Sequence, residues 1–174
     1  YDPRDFVLNC AGGATGAHIT TLAREMGIKK VIISKMASGL CAYGQIISDV
    51  KYNYMAPAPV RLDAPSAATR LDAVLTKIEE RGKNDIRRDG FEDDRISIRR
   101  SFDMRYVGQV HECTVDMDPS QIDEVALEAL KEAFHARHEE LYTYCERQST
   151  VEVVNVESAI WGRMDRPNRM KIPE

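Results

Sequence analysis

The sequence predicts an α/β segment followed by a small α+β domain, the latter built from an antiparallel sheet of three strands and two long helices. Three observations predict it. The stretch Asn9-Cys10-Ala11-Gly12-Gly13-Ala14-Thr15-Gly16-Ala17-His18 joins an apolar run to a helical pattern. Ile96, Ile98, Phe102 and Met104 alternate with polar residues between Arg95 and Arg105, the period of a strand with one dry and one wet face. Two later stretches, around 68–86 and 122–134, carry apolar residues at helical spacing.

Taken in order, Phe6, Val7 and Leu8 read as a short buried strand, and Ile19, Leu22, Ala23 and Met26 as the apolar face of a helix that Gly27 stops. Val31, Ile32 and Ile33 form a β-branched strand, completing a helix–glycine–strand unit of a layered fold. Ala37-Ser38-Gly39 makes a second small-residue turn before a helix marked by Leu40, Tyr43, Ile46 and Ile47. Gly44 inside that helix costs about 1 kcal/mol relative to alanine, which implies close packing against a neighbour. Pro57, Pro59 and Pro65 exclude a regular helix or a central strand, so Tyr52 to Pro65 reads as a connecting arm packed by Tyr52, Tyr54 and Met55. The expected division is therefore a domain over 1–56, a linker over 57–65 and a second domain over 66–174.

In the second domain, Ala68, Leu71, Val74, Leu75, Ile78 and Ile86 hold one helix face, interrupted by Gly82; Gly90 ends the helix and Phe91 folds back over its cap. Ile96, Ile98, Phe102 and Met104 line the dry side of a strand, and beyond Gly108 its antiparallel partner runs from Val110 to Val115. Asp118-Pro119-Ser120-Gln121 has the form of a helix start, with Asp118 as cap and Gln121 reaching back. The buried stripe that follows is Ile122, Val125, Ala126, Ala129, Leu130, Ala133 and Phe134. Val151 to Trp161 is apolar on both faces and so reads as a central strand; the tail from Met164, with Pro167 and Pro173, reads as irregular.

Composition narrows the function classes. At 174 residues and 19.7 kDa the chain holds one good core, or one domain and part of another. A net charge of -4 with no basic stripe gives no reason to expect nucleic acid. The apolar runs are too short to span a bilayer and no signal-peptide pattern precedes them, so no membrane partner and a cytoplasmic location are expected. Cys10, Cys41, Cys113 and Cys145 form no CxxC pair and read as reduced thiols. Cys10 borders the glycine loop, where it is either a nucleophile or a small buried residue at a strand end. A start at Tyr1, without methionine and directly in a strand, reads as a piece of a longer polypeptide.

The glycine stretch carries the main functional signal. Between strand and helix, backbone N–H groups and the helix N-terminus face an anion or nucleotide, and residues without Cβ admit a ligand closely. The pattern matches neither a Walker loop nor GxGxxG, and a tight strand-to-helix turn needs glycine for steric reasons alone. His18 opens the helix as a ligand contact or as a cap of the turn. His135 and His138, with Glu139 and Glu140, share one helix face, but HxxH without a third ligand in register is common on solvated helices, and no metal is expected. Arg105, Tyr106 and Gln109 cluster at a strand turn, as cleft residues or as residues that fix the turn. Tyr142 and Tyr144 read as anchors under the sheet, and Trp161 as core or subunit interface.

Five segments together resemble the C-terminal part of the hydantoinase A and 5-oxoprolinase family, which includes subunits of acetone and acetophenone carboxylases. They are Gly12 to His18; Ala37-Ser38-Gly39 with Tyr43-Gly44 and Asp49-Val50-Lys51-Tyr52; Asp103 to Gln109; Phe134, His138 and Glu139 before Tyr142 and Tyr144; and Val154-Asn155-Val156. The order is that of the family and covers nearly the whole chain. Many relatives have Gly-Pro before the histidine, where this chain has Gly16-Ala17. Within the family, Thr15, Cys10 and Lys51-Tyr52-Asn53-Tyr54-Met55 look most like the acetone carboxylase β subunits.

The resemblance implies an actin-like ATPase domain, of which 1–56 is the closing segment, with Gly12, Gly13 and Ala14 at adenine and ribose and Thr15 and His18 beside them. It implies ATP, with phosphates and Mg2+ held by an upstream loop that this chain lacks, and a metal in a partner subunit as an option. The implied activity is phosphoryl transfer that activates a small, acetone-like ketone and bicarbonate, in a hetero-oligomeric carboxylase. The alternatives are an ATP-dependent cyclic-amide hydrolase of the N-methylhydantoin or 5-oxoproline type, and a subunit-interaction module with no chemistry of its own.

Overall fold

A computed structural model describes residues 1–119 and 121–165. Its contacts divide the chain into two units, Tyr1–Ser48 together with Met164 and Asp165, and Asp49–Arg163. Among the described residues no helix is long and apolar enough to cross a membrane.

In the first unit, β1 (Leu8–Cys10) and β2 (Val31–Ile33) pair in parallel, Leu8 opposite Val31 and Cys10 opposite Ile33. The strand begins two residues later than the apolar run suggests. Asp2 caps a turn of 3-10 helix over Pro3–Asp5, and the Phe6 N–H bonds the Pro3 carbonyl, so Phe6 and Val7 stay exposed. Helix α1 (Ile19–Glu25) buries Ile19 and Ala23 but leaves Leu22 and Met26 half in solvent. Gly27, at φ +70°, ends it as expected: its N–H bonds the Arg24 carbonyl and that of Ile28 the Ala23 carbonyl, satisfying two orphan acceptors. A short 3-10 turn over Ala37–Gly39 leads into α2 (Leu40–Ile47). Among the described residues no atom lies within 4 Å of a Cβ added at Gly44, so the neighbour expected there is not found among them.

The second unit is a four-stranded antiparallel sheet in the order β3-β6-β4-β5, with β3 Val50–Arg61, β4 Ile96–Tyr106, β5 Cys113–Asp116 and β6 Val151–Gly162. Helices α3 (Ala67–Arg88) and α4 (Glu124–Tyr142) cover one face, where Phe102, Met104, Val153, Val156 and Ile160 meet Leu71, Leu75, Leu130 and Phe134. The expected arm and 57–65 linker are largely a strand, which is why the sheet has four strands and not three. β3 lies at the edge of the sheet and shifts register between Pro57 and Val60, and an edge strand tolerates the N–H groups that proline lacks. β6 lies inside the sheet as its apolar faces require.

Three local expectations shift. α3 runs unbroken through Gly82, and β5 starts at Cys113, with Val110 80% exposed. α4 starts six residues after Asp118, capped by the Asp123 carboxylate on the Ala126 N–H at 2.8 Å; Asp118 instead accepts the Arg100 backbone N–H at 2.5 Å. The later start turns the buried stripe to Leu127, Leu130 and Phe134 and leaves Val125 77% exposed. The tail beyond Asp165 lies outside the described residues.

Gly82 is where helix and sheet touch. A Cβ there would lie 2.6 Å from Ile160 Cδ1 and 2.8 Å from the Tyr54 ring. One turn earlier, Glu79 is 5% exposed and accepts both Arg100 Nε at 2.6 Å and Arg100 Nη2 at 3.0 Å, with Ser158 Oγ donating at 3.2 Å. Removing the carboxylate charge would leave the guanidinium in a poorly solvated place, so Glu79→Gln is expected to cost about 3 kcal/mol in chemical denaturation of the protein. Gly82→Val is expected to cost about 2 kcal/mol, because overpacking exceeds the gain in helix propensity. Wild-type denaturation midpoints would contradict both.

Candidate functional site

Because β1 and β2 are parallel, the loops that follow them, 11–18 and 34–39, leave the same end of the sheet, the carboxyl end at which α/β layers bind ligands. They are tied together: the Gly12 N–H donates to the Ala37 carbonyl at 2.7 Å, and Thr15 Oγ1 donates to the Ala11 carbonyl at 2.5 Å. Gly12, at φ +94°, needs glycine for its backbone conformation. Gly13 and Gly16 do not, since φ is not positive at either and nothing lies within 4 Å of an added Cβ. The steric explanation thus covers Gly12 and leaves the other two glycines unexplained by the unit's own packing.

Ala14 and His18 are exposed, and Thr15 is half-buried with its hydroxyl committed to the loop. His18 is the N-cap residue of α1 but makes no side-chain capping bond, so the capping role considered for it is not seen. Cys10 is 1% exposed at the end of β1, as a small buried residue at a strand end would be.

The second candidate group, Arg105, Tyr106 and Gln109, is split by strand alternation. Arg105 lies on the uncovered face and pairs with Glu152 at 2.8 Å. Tyr106 points among the helices, where it meets α4. The Gln109 side-chain oxygen accepts the Tyr106 N–H at 3.2 Å, leaving its amide nitrogen to donate to His138 Nε2 at 3.2 Å. His138 Nδ1 faces the Tyr144 carbonyl at 2.9 Å, and a carbonyl only accepts, so Nδ1 carries the hydrogen.

His135 and His138 are buried, at 0% and 2% exposure, which corrects the solvated-helix reading. Tyr106 Oη accepts the Glu146 N–H at 2.7 Å and lies 2.8 Å from His135 Nδ1. Its hydroxyl hydrogen therefore goes to Nδ1 and the His135 ring hydrogen sits on Nε2, which is buried without a hydrogen-bond partner among the described residues. Burial holds the His135 imidazole below its ordinary value and raises the Tyr106 phenol. Tyr142 and Tyr144 are 43% and 49% exposed; they lie not under the sheet but against the His138 ring, at 4.6 and 5.0 Å between centroids. With Gln109, Val110, His111 and His138 they line a cavity of about 190 Å³. Among the described residues no three His, Cys, Asp or Glu side chains are placed to hold a metal.

Two features escaped the sequence reading although the signal was there. Glu79 occupies the apolar register of α3, between Leu75 and Gly82, and Arg100 the dry register of β4, between Ile98 and Phe102. A charge in each stripe marks a buried pair. Trp161 stands on the uncovered face, half-buried, with the Lys51 ammonium 4.8 Å from its ring centroid.

Comparison with known proteins fits both units. The family model "Hydantoinase/oxoprolinase" matches residues 1–54, and that of the "Hydantoinase/oxoprolinase C-terminal domain" matches 61–163. The chain is 47% identical over 169 residues to caprolactamase subunit alpha of Pseudomonas jessenii, spanning 96% of this chain and 24% of that one. It is 24% identical over 182 residues to the acetone carboxylase beta subunit of Xanthobacter autotrophicus, spanning 100% and 25%. The crystal structure of the ATP-dependent caprolactamase from Pseudomonas jessenii superposes with a TM-score of 0.72 at 45% identity, covering 99% of this chain and 25% of that one. The chain thus spans about a quarter of the length of these relatives. Two family models that together cover most of the residues, in the order in which the two units follow one another, establish that this chain belongs to the hydantoinase/oxoprolinase family.

Proposed function

We propose that the chain is part of a longer ATP-dependent enzyme that opens a cyclic amide. The observation that carries this reading is the 47% identity to a caprolactamase subunit, about twice the 24% shared with an acetone carboxylase subunit. The chemistry explains the need for ATP. An amide carbonyl is a poor electrophile, because the nitrogen lone pair is delocalised onto oxygen. Transfer of the ATP γ-phosphoryl group to that oxygen, with ADP leaving, fixes the activated form; one water adds to the carbon and the ring nitrogen leaves as the amine, giving an acyl phosphate that a second water hydrolyses to carboxylate and phosphate. Catalysis of the transfer is mostly positioning and charge.

In this reading the first unit closes a nucleotide-binding domain of actin-like type. Gly12, Gly13 and Ala14 lie along adenine and ribose, and Thr15 and His18 border the same site. Support comes from the open space at Gly13 and Gly16 and from the tie between the two carboxyl-end loops. The phosphate loop, Mg2+ and catalytic acid belong to parts of the protein outside this chain. The relatives' names as subunits favour a hetero-oligomer, with a metal in a partner subunit remaining within the proposal. The second reading, ATP-dependent carboxylation of a small ketone, is favoured by the match to an acetone carboxylase subunit along the whole chain.

Assay of the full-length subunit with its partner distinguishes the two. Lactam-dependent ATP hydrolysis yielding the ring-opened amino acid is expected; acetone-dependent bicarbonate fixation without lactam turnover would overturn the first reading. A Cβ at Gly13 has nothing within 4 Å among the described residues, so for Gly13→Val unfolding is expected to be unchanged while KM for ATP rises at least tenfold. Wild-type ATP kinetics in that variant would remove the glycine turn from the nucleotide site.

A further inference from the structure

Helix α4 ends on a strained residue. Thr143 has φ +67°, a left-handed conformation that usually falls to Gly or Asn and costs a β-branched residue about 1–2 kcal/mol. The chain beyond it, 143–150, folds back and is held mainly by side chains. The Tyr144 carbonyl accepts from His138, the Glu146 N–H donates to Tyr106, and Arg147 pairs with Glu132 at 2.5 Å. At its far end the Thr150 carbonyl accepts the Val107 N–H at 2.9 Å. Arg147, Gln148, Ser149 and Thr150 wall a cavity of about 400 Å³ over Leu127 and Lys131, and Tyr144 walls the 190 Å³ cavity beside His138.

The attachment favours a neutral His135. Its Nδ1 takes the Tyr106 hydroxyl hydrogen, and Tyr106 Oη is occupied by the Glu146 N–H. A second ring proton must go on Nδ1, where it turns the hydroxyl hydrogen out with no acceptor in place, and the imidazolium remains in a site fully closed to water. The charged groups around His135 are Glu132, Lys131 and Glu128 on its own helix and Arg147 on the returning segment, of which Glu132 and Arg147 are already paired with each other. We propose that residues 143–150 form an acid-released strap, hinged at Thr143 and held shut through the Tyr106 hydroxyl, which bridges His135 and the Glu146 N–H.

The sign follows from burial. His135 titrates below its ordinary 6.5 in the folded protein, so the closed state binds fewer protons than the open one; closure is complete above that value and weakens as pH falls below it. The Glu132 carboxyl is held below its ordinary 4.5 by Arg147, so their ion pair persists through that window.

Hydrogen-exchange mass spectrometry of the full-length subunit, corrected for intrinsic exchange, tests this. Between pH 7.5 and 5.5 the opening of peptides covering 143–150 is expected to rise severalfold, up to about the tenfold that one group titrating at 6.5 when open allows, while those of α3 stay flat. His135→Gln, which still accepts the Tyr106 hydroxyl but carries no titrating ring, is expected to abolish the rise. Thr143→Gly is expected to lower opening about fivefold at every pH. A wild-type strap whose opening is flat across that range, or a His135→Gln strap that keeps the full rise, would overturn the proposal.

Discussion

The close approach of α3 to β6 at Gly82 sets much of the second unit. With no side chain there, the Ile160 and Tyr54 side chains come against the helix backbone, and the residues one turn to either side fall within hydrogen-bond reach of the sheet. Upstream, Glu79 meets Arg100 and Ser158. Downstream, Tyr54 donates to Asp85 at 2.6 Å and Tyr52 to Asp89 at 2.9 Å, zipping edge strand β3 to the helix. Burial and the Asp85 carboxylate push the Tyr54 phenol up to about 12, so it stays a donor at any physiological pH. The same approach recurs at the other end of the interface, where Phe91, folded back by the turn at Gly90, covers Gly162.

The motif that runs from Asp103 to Gln109 and the one from Phe134 to Tyr144 converge. Tyr106, Gln109, Phe134, His135 and His138 form one network of rings and hydrogen bonds that joins the end of β4 to the end of α4. Their pattern in sequence is thus a pattern of assembly. Within the network, His135 Nε2 is buried without a hydrogen-bond partner among the described residues. The glycine turn is the reverse case. Its second and third glycines, Gly13 and Gly16, have no neighbour within 4 Å of an added Cβ among the described residues.

Periodicity made most elements legible. Alternation over 96–104 gave β4, helical spacing gave α3, and Gly27 and Gly90 ended helices for the backbone reason expected of them. What failed were inferences drawn from one residue type. Pro57 and Pro59 exclude a central strand and not an edge one, and whether a strand is an edge is a property of the sheet and not of the segment, so the stretch reads as an arm. Asp118-Pro119 has the composition of a helix start, yet the backbone N–H of Arg100 claims the carboxylate. Arg105 and Tyr106 are adjacent in sequence and lie on opposite faces, so no side-chain cluster could join them. The site residues from Gly12 to His18 were legible as a loop, and their chemistry only through the family resemblance, because the glycine spacing has no ligand-specific signature of its own.

The account rests on the claim that the first unit forms one wall of a nucleotide site in a larger domain. The most direct measurement is a structure of the complete subunit bound to a non-hydrolysable ATP analogue. The purine and ribose are expected against the backbone of Gly12, Gly13 and Ala14, on the side where an added Cβ at Gly13 has nothing within 4 Å among the described residues. A purine bound elsewhere, with that turn facing solvent or another subunit, would contradict it.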